Sequence, residues 1–364
     1  MNGNDLDTKK PQRFMKFRQW LKKHRVALII IAVAVLVFGA FMGYLYLKSP
    51  ANNPTISNST PKPKPKPPEK FYSSLTGIEV SDQSAIASPV TAVMIENSPD
   101  ARPQSGLKRA GVIYEAVAEG GITRFLTVFQ GEKPELIGPV RSLRYYYLNW
   151  AAPYQASIAH VGGSYNALQE VRNGNYRDAD QFFNPGTYWR STDRVAPHNV
   201  YTSGAKLDEL NQSKGWTSSN FTSFLRVDGK PASEPNATSI QLNFSSWLFN
   251  TSYTYNQTTN SYDRLLAGSP HSDREGGQLS PSVVVAIEAT TSSRGGTDGY
   301  EDIVTTGSGK ATVFQDGLAT PVTWHKKSML EPLELLNEDG TPIKLVRGQT
   351  WIAVITPTGS VSWQ

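Results

Sequence analysis

Between Val26 and Leu47 the chain runs for 22 residues without a charged side chain. No other feature narrows the fold as much. At 1.5 Å per residue a helix of that run reaches about 33 Å, the thickness of a bilayer's hydrocarbon core. Lys9, Lys10, Arg13, Lys16, Arg18, Lys22, Lys23 and Arg25 precede it, and only Lys48 follows closely. Basic flanks stay on the cytoplasmic side. The expected topology is therefore a cytoplasmic basic tail (residues 1–25), a transmembrane signal-anchor helix (26–47) and an extracytoplasmic remainder. A cleavable signal peptide is the competing reading. It would carry a shorter apolar core and small residues at the cut site, where this chain has Tyr44, Tyr46 and Lys48.

Residues 48–70 form a linker that ends in alternating Pro and Lys from Pro61 to Pro68. Such a segment favours extended polyproline II and repels itself, holding the rest of the chain away from the membrane. Charge follows the same division. Residues 1–25 hold eight Lys/Arg against Asp5 and Asp7, while the whole chain has 36 basic and 31 acidic residues, a net of +5. Beyond the tail and linker the balance is about −5 by the same count. A nucleic-acid binder should show a basic globular face instead, so nucleic acid is not an expected partner. With no cysteine, disulfides, thiol catalysis and lipidation on cysteine are excluded.

Two globular segments come after the linker. In residues 71–215, strands at Val90–Ile95, Val112–Val117, Phe125–Phe129 and Ala156–Ala159 alternate with helical stretches, the pattern of a mixed α/β domain. Residues 216–364 read as mostly antiparallel β. There, Ser252–Gln257 and Ser261–Leu265 form a hairpin, Val283–Ile287 a buried strand, and Asp316-Gly317 and Asp339-Gly340 mark turns. The expected class is α+β with two domains after one transmembrane helix. Trp324, Trp351 and Trp363 are expected to fill the β core.

Gly138–Ser164 concentrates the chemistry. Gly138-Pro139 reads as a turn entering a helix, which would set Arg141, Arg144, Tyr145 and Leu148 on one face. Two cations at a helix N-terminus oppose its dipole unless an anion lies between them. That anion could be an internal carboxylate or a ligand. His160 ends the following strand, and Gly162-Gly163 lets backbone approach it, where α/β proteins gather ligands. Around these residues we group Asp193, Arg194, His198 and Asn199, with Arg102, Glu115 and Arg124 closing the cleft. The set suits an anionic, hydroxyl-rich ligand. It also suits acid–base chemistry on a histidine, or a buried network that only fixes loops. His271-x-Asp273 lacks a third ligand, and no phosphate-loop or metallohydrolase motif is complete. Neither a metal nor a cofactor is expected, and no catalytic residue is assigned.

Several motifs together resemble one family. They are Ala101-Arg-Pro-Gln-Ser-Gly-Leu107, Tyr114-Glu115 with Glu119-Gly-Gly-Ile-Thr-Arg124, Gly138-Pro-Val-Arg-Ser142, His160-Val-Gly-Gly163 and Ala196-Pro-His-Asn199 with Tyr201-Thr202. Gly268 with His271 and Asp273, Thr306-Gly-Ser-Gly-Lys310 and Gly348-Gln-Thr-Trp-Ile352 continue the series. The chain resembles the YerB-like family of bacterial extracytoplasmic lipoproteins. That resemblance implies an N-terminal and a C-terminal domain outside the membrane, and it supplies no reaction. Many relatives resemble lipoproteins held by a lipidated cysteine, whereas here a spanning helix would do that work. The leading expectation is a cell-envelope binding or accessory protein, with wall glycan, wall peptide or an envelope protein as its partner. The alternatives are an envelope hydrolase or transferase using His160 or His198, and a structural protein without a small-molecule site.

Overall fold

The computed structural model describes residues 11–48, 70–293 and 301–364. Most of the expected linker and the first ten residues of the tail lie outside them. The chain divides into two units, Met1–Pro68 and Glu69–Gln364. In the first, α1 (Pro11–Lys23) ends on Lys22 and Lys23, which suit the negative pole of its dipole. α2 (Arg25–Lys48) contains the whole uncharged run, and none of its residues is buried against protein. It is long and apolar enough to cross a membrane. A helix apolar all round finds its partner in lipid or a core.

In the second unit a ten-stranded sheet takes strands from both globular segments. The first segment supplies β1 (Thr91–Glu96), β2 (Val112–Val117), β3 (Thr123–Phe129), β4 (Ser157–His160) and β5 (Arg177–Asp180). Its longer helices are α3 (Tyr145–Ala151), α4 (Tyr165–Asn173) and α5 (Gly204–Ser213). Ser203 caps α5, its hydroxyl accepting from the Lys206 N–H at 3.2 Å. The second segment builds β6 (Ser239–Asn243), β7 (Thr251–Asn256), β8 (Ser261–Leu266), β9 (Ser269–Pro270), β10 (Val283–Glu288), β11 (Gly307–Gln315), β12 (Leu318–Lys326), β13 (Glu334–Leu336), β14 (Thr350–Ile355) and β15 (Ser360–Trp363).

The large sheet runs β13-β12-β11-β10-β14-β2-β3-β1-β4-β5, and an antiparallel five-stranded sheet runs β9-β8-β7-β6-β15. A mixed α/β first part and a β-rich second part are therefore present. The boundary expected at residue 215 nevertheless falls inside one compact unit. The reason is register: β14, near the C-terminus, lies parallel to β2, with Trp351 opposite Ile113 and Ala353 opposite Glu115.

Alternate residues of a strand face opposite sides of a sheet, and both sides are covered. Val283, Val285 and Ile287 of β10 share one core with Tyr146, Tyr147 and Trp150 of α3. Val284 and Ala286 pack with Ile240, Leu242 and Tyr253 of the smaller sheet. This double cover explains the unbroken apolar sequence of β10, since no face is left for a polar residue. Leu207 and Leu210 of α5 cover Val93, Ile113 and Phe125. Trp324 and Trp351 are buried as expected, but Trp363 is 42% exposed at the chain's end. It meets the core residue Phe314 by an edge contact and pairs with Ile240 across the smaller sheet.

Strand direction then places the polar groups. β10, β14, β2, β1, β4 and β5 all run one way, with β3 reversed between β2 and β1. One edge of the sheet therefore gathers Glu288, Val117, Glu96, His160 and Asp180 at strand carboxyl ends, together with Arg124 near the start of β3. Clefts of α/β proteins form at such an edge.

Candidate functional site

Residues 139–143 cross this edge in extended form, which corrects the helix expected from Pro139. Arg141 donates its N–H to Met94 O at 2.9 Å and accepts from Val161 N–H at 3.1 Å; Leu143 N–H reaches Gly162 O at 2.9 Å. Those distant partners hold the segment between the ends of β1 and β4, and the helix begins only after Arg144, its N-cap. Three positions apart on an extended chain, Arg141 and Arg144 project to opposite sides. The structure sends them to different acids.

Arg144 enters a cluster around the half-buried Glu119. Its Nε binds Glu119 Oε1 and its Nη1 binds Leu143 O at 2.7 Å. Arg124 holds the second Glu119 oxygen at 2.7 Å and Ser142 O at 3.0 Å. Both arginines are buried. Burial would raise the Glu119 pKa, but the Arg144 hydrogen bond and the two cationic charges bring it below the usual value. Of the two anions the sequence left open, an internal carboxylate is the one that meets Arg144. Burial lowers the Arg124 pKa, as does the Arg144 charge.

His160 is also spent internally. It is fully buried, with Nδ1 2.8 Å from Gly162 O and Nε2 3.0 Å from Asp178 Oδ1. Gly162, at φ +58°, turns its N–H onto Asp180 Oδ1 at 3.0 Å, and that carboxylate also accepts from Arg172 at 3.0 Å. Gly163 lies so close to Leu143 that a Cβ there would meet its carbonyl oxygen at 2.8 Å. The glycines serve this tight crossing of backbone. Burial would raise the Asp178 pKa, but the hydrogen bond and charge of His160, the Asp180 N–H and the Arg172 charge together bring it below the usual value.

Glu115 sits beneath the edge, not in a cleft. Its carboxylate accepts from Arg264 Nη2 at 2.8 Å, Trp351 Nε1 at 2.9 Å and Thr123 Oγ1 at 3.1 Å, and it is wholly buried. Arg264 Nε donates to His271 Nδ1 at 3.0 Å, so His271 Nε2 carries the proton and donates to Gln104 Oε1 at 3.0 Å. Burial, then the charges of Arg264 and Arg102, push the His271 pKa well below its ordinary value. Asp273 accepts from the N–H groups of Lys108, Glu275 and Gly276 and so ties two loops together.

An open cleft of about 770 Å³ remains, lined by Asp100, Arg102, Asp193, Arg194, His198 and Arg274 among others. His198 Nδ1 lies 2.9 Å from Glu96 Oε2 and 3.2 Å from Ser98 Oγ, and Arg141 Nε approaches Glu96 Oε1 at 3.4 Å. Arg194 binds the main-chain carbonyls of Asp100 (2.6 Å), Pro103 (2.8 Å) and Arg102 (3.3 Å), and its buried Nε has no partner among the described residues. Arg102 binds Asn97 O, Asn97 Oδ1 and Leu248 O at 2.9–3.2 Å and stacks on Phe249. Burial first, and then Arg264 against the pull of Glu115, brings its pKa down to about 10. Asp193 pairs with Arg274 at 2.6 Å. Asn199 ties the loop, accepting from Arg190 at 2.7 Å and donating to Ser191 O at 3.1 Å.

Of the residues grouped from sequence, Arg102, Asp193, Arg194 and His198 line this cleft. Asn199 and Arg141 stand beside it. Arg124, Arg144, His160, Gly162, Gly163 and Glu115 belong to the internal clusters. Sequence reasoning misses Glu119 as counter-ion, Arg264 and Arg274. Arg264 and Arg274 meet Glu115 and Asp193 only across long stretches of chain, which no local pattern announces, whereas Glu119 has one partner close by in Arg124 and one far off in Arg144.

Comparisons with known proteins agree with this architecture. Residues 75–217 match the family described as "Protein of unknown function (DUF3048) N-terminal domain", and residues 240–352 match its C-terminal domain. The Bacillus subtilis protein named "Putative lipoprotein YerB" is 31% identical over 300 residues, 81% of this chain and 89% of that protein. The crystal structure of the Bacillus subtilis YerB protein superposes with a TM-score of 0.72 at 28% identity. It covers 80% of this chain and 100% of the solved one.

Proposed function

We propose, from the premise that this chain belongs to the DUF3048 family of proteins of unknown function, that it is a membrane-anchored extracytoplasmic accessory protein. Its cleft around His198 takes an anionic, hydroxyl-bearing ligand of the cell envelope. The apolar helix α2 and a relative named as a lipoprotein support membrane attachment. The basic residues before α2 support an N-terminus on the cytoplasmic side.

One observation carries the ligand reading. Arg102 and Arg194 give their hydrogen bonds to neutral oxygens alone among the described residues, so neither guanidinium is hydrogen-bonded to a carboxylate. Carbonyls hold the geometry without neutralising the charge, which stays available to an arriving anion. The test is calorimetric titration of the full chain in detergent micelles with wall muropeptides bearing free stem carboxylates. Arg102→Ala and Arg194→Ala each weaken binding at least about tenfold, as expected for a lost charge-assisted contact. Unaltered affinity in both variants would refute the site.

A second reading rests on His198. Glu96 binds its Nδ1, so its Nε2 can serve as a general base in the cleft. Cleavage of the bound wall fragment, lost in His198→Ala, would favour that reading over binding alone.

A further inference from the structure

A single exposed apolar side chain is ordinary on a protein surface. Trp247 differs because of the turn that carries it. The indole is 68% exposed, whereas Trp150, Trp324 and Trp351 are buried. The turn itself is held at both ends. Phe244 N–H binds Asn250 Oδ1 at 3.0 Å, and Phe249 N–H binds Ser246 O at 2.9 Å. On one side Leu248 O accepts from Arg102 Nη2 at 2.9 Å, at the arginine cleft. On the other, Ser245 Oγ donates to Gly121 O at 2.5 Å. There it borders a second recess of about 300 Å³, lined by Ser245, Thr291, Thr356 and Thr358 and also by Glu119 and Tyr146. Trp247 is thus next in the chain to Leu248, whose carbonyl binds Arg102 of the cleft, and two residues from Ser245, which lines the recess.

We infer that the ligand of the His198 cleft is an acidic saccharide, with one sugar ring on Trp247 and its carboxylate at Arg102 and Arg194. This rests on the reading of the cleft as an anion site and names the class of molecule. A pyranose has an apolar C–H face that an indole covers and a hydroxyl rim that needs hydrogen-bonding partners. Its carboxylate meets the Arg102 Nη1 group, which makes no hydrogen bond among the described residues. A bare anion uses the arginines and ignores Trp247. A neutral sugar uses Trp247 and leaves the arginines uncompensated. Only a molecule with both parts uses the whole surface.

Titrations on the full chain in detergent micelles separate these cases. The probes are N-acetylglucosaminyl-N-acetylmuramic acid, a glucuronate-containing disaccharide, neutral chitobiose and lactate. One or both acidic disaccharides bind at least about tenfold tighter than chitobiose and lactate, and their order tells muramic from uronic acid. Trp247→Ala lowers that affinity about five- to tenfold and leaves lactate binding unchanged, while Trp247→Phe restores most of it. Unchanged melting temperatures establish that the variants are folded. If lactate binds as tightly as the acidic disaccharides, or Trp247→Ala binds them as the parent does, the saccharide is wrong and the anion site stands. If no acidic probe binds and muropeptides also fail, the cleft reading falls with it.

Discussion

Arg264 shows what one buried residue can require of the rest. Its guanidinium has no exposed surface, stacks 4.0 Å from the Trp351 ring, and donates to Glu115, His271 and Tyr253. Burying a charge is costly unless partners surround it. Here every partner lies on a different strand or loop, so the group fixes how those elements meet. Arg264→Met would leave the Glu115 carboxylate buried with only Trp351 and Thr123 as donors. We expect a loss of about 3–5 kcal/mol, read by urea unfolding of the full chain. The paired change Glu115→Gln with Arg264→Met should recover part of it, because the stranded charge is then gone. A single variant as stable as the parent would show that the ion pair is not what holds this region.

At the scale of elements, the Glu119 turn clamps the start of β3 to the start of α3 through Arg124 and Arg144. Glu119 has a lowered pKa in the fold. A carboxyl held low contributes stability that is complete above its unfolded value, near 4.5, and that disappears as pH falls through the folded one. Glu119→Gln should therefore cost about 1–3 kcal/mol at neutral pH, and its gap from the parent should close in acid. Urea unfolding at pH 7 and at pH 3 measures both, and a gap of equal size at the two would refute the clamp. The same elements mark how far local sequence reaches. The β-branched run of β10 is legible because its own residues state that both faces are buried. The approach to α3 is not. Pro139 is a good first residue of a helix, yet Arg141 and Leu143 take backbone partners on β1 and beyond β4 that no nearby residue reveals. Four cleft residues are legible in sequence, since Arg, Asp and His in a polar loop declare themselves. Trp247 is not, because an exposed tryptophan and a core tryptophan are written alike.

At the scale of the molecule, the join between β2 and β14 decides what counts as a folding unit. β2 is buried along almost its whole length, and β14 throughout. Parallel strands of this kind need neighbours on both edges and cover on both faces. A chain ending at residue 215 would keep β2 but expose the edge that β14 covers. It would also strand Glu115 without Arg264 or Trp351. The family's two sequence regions, 75–217 and 240–352, can therefore be distinct in sequence and inseparable in folding. We expect residues 71–215 expressed alone to show no cooperative thermal transition. Residues 216–364 should behave likewise, because β10 and β14 would lose the side of the sheet that carries α3. Co-expression should restore a complex that melts in one step, as the intact chain does in scanning calorimetry. A cooperative transition from either fragment alone, or two separated transitions in the intact chain, would mean that the shared sheet is a docking surface between independent domains and not a common core.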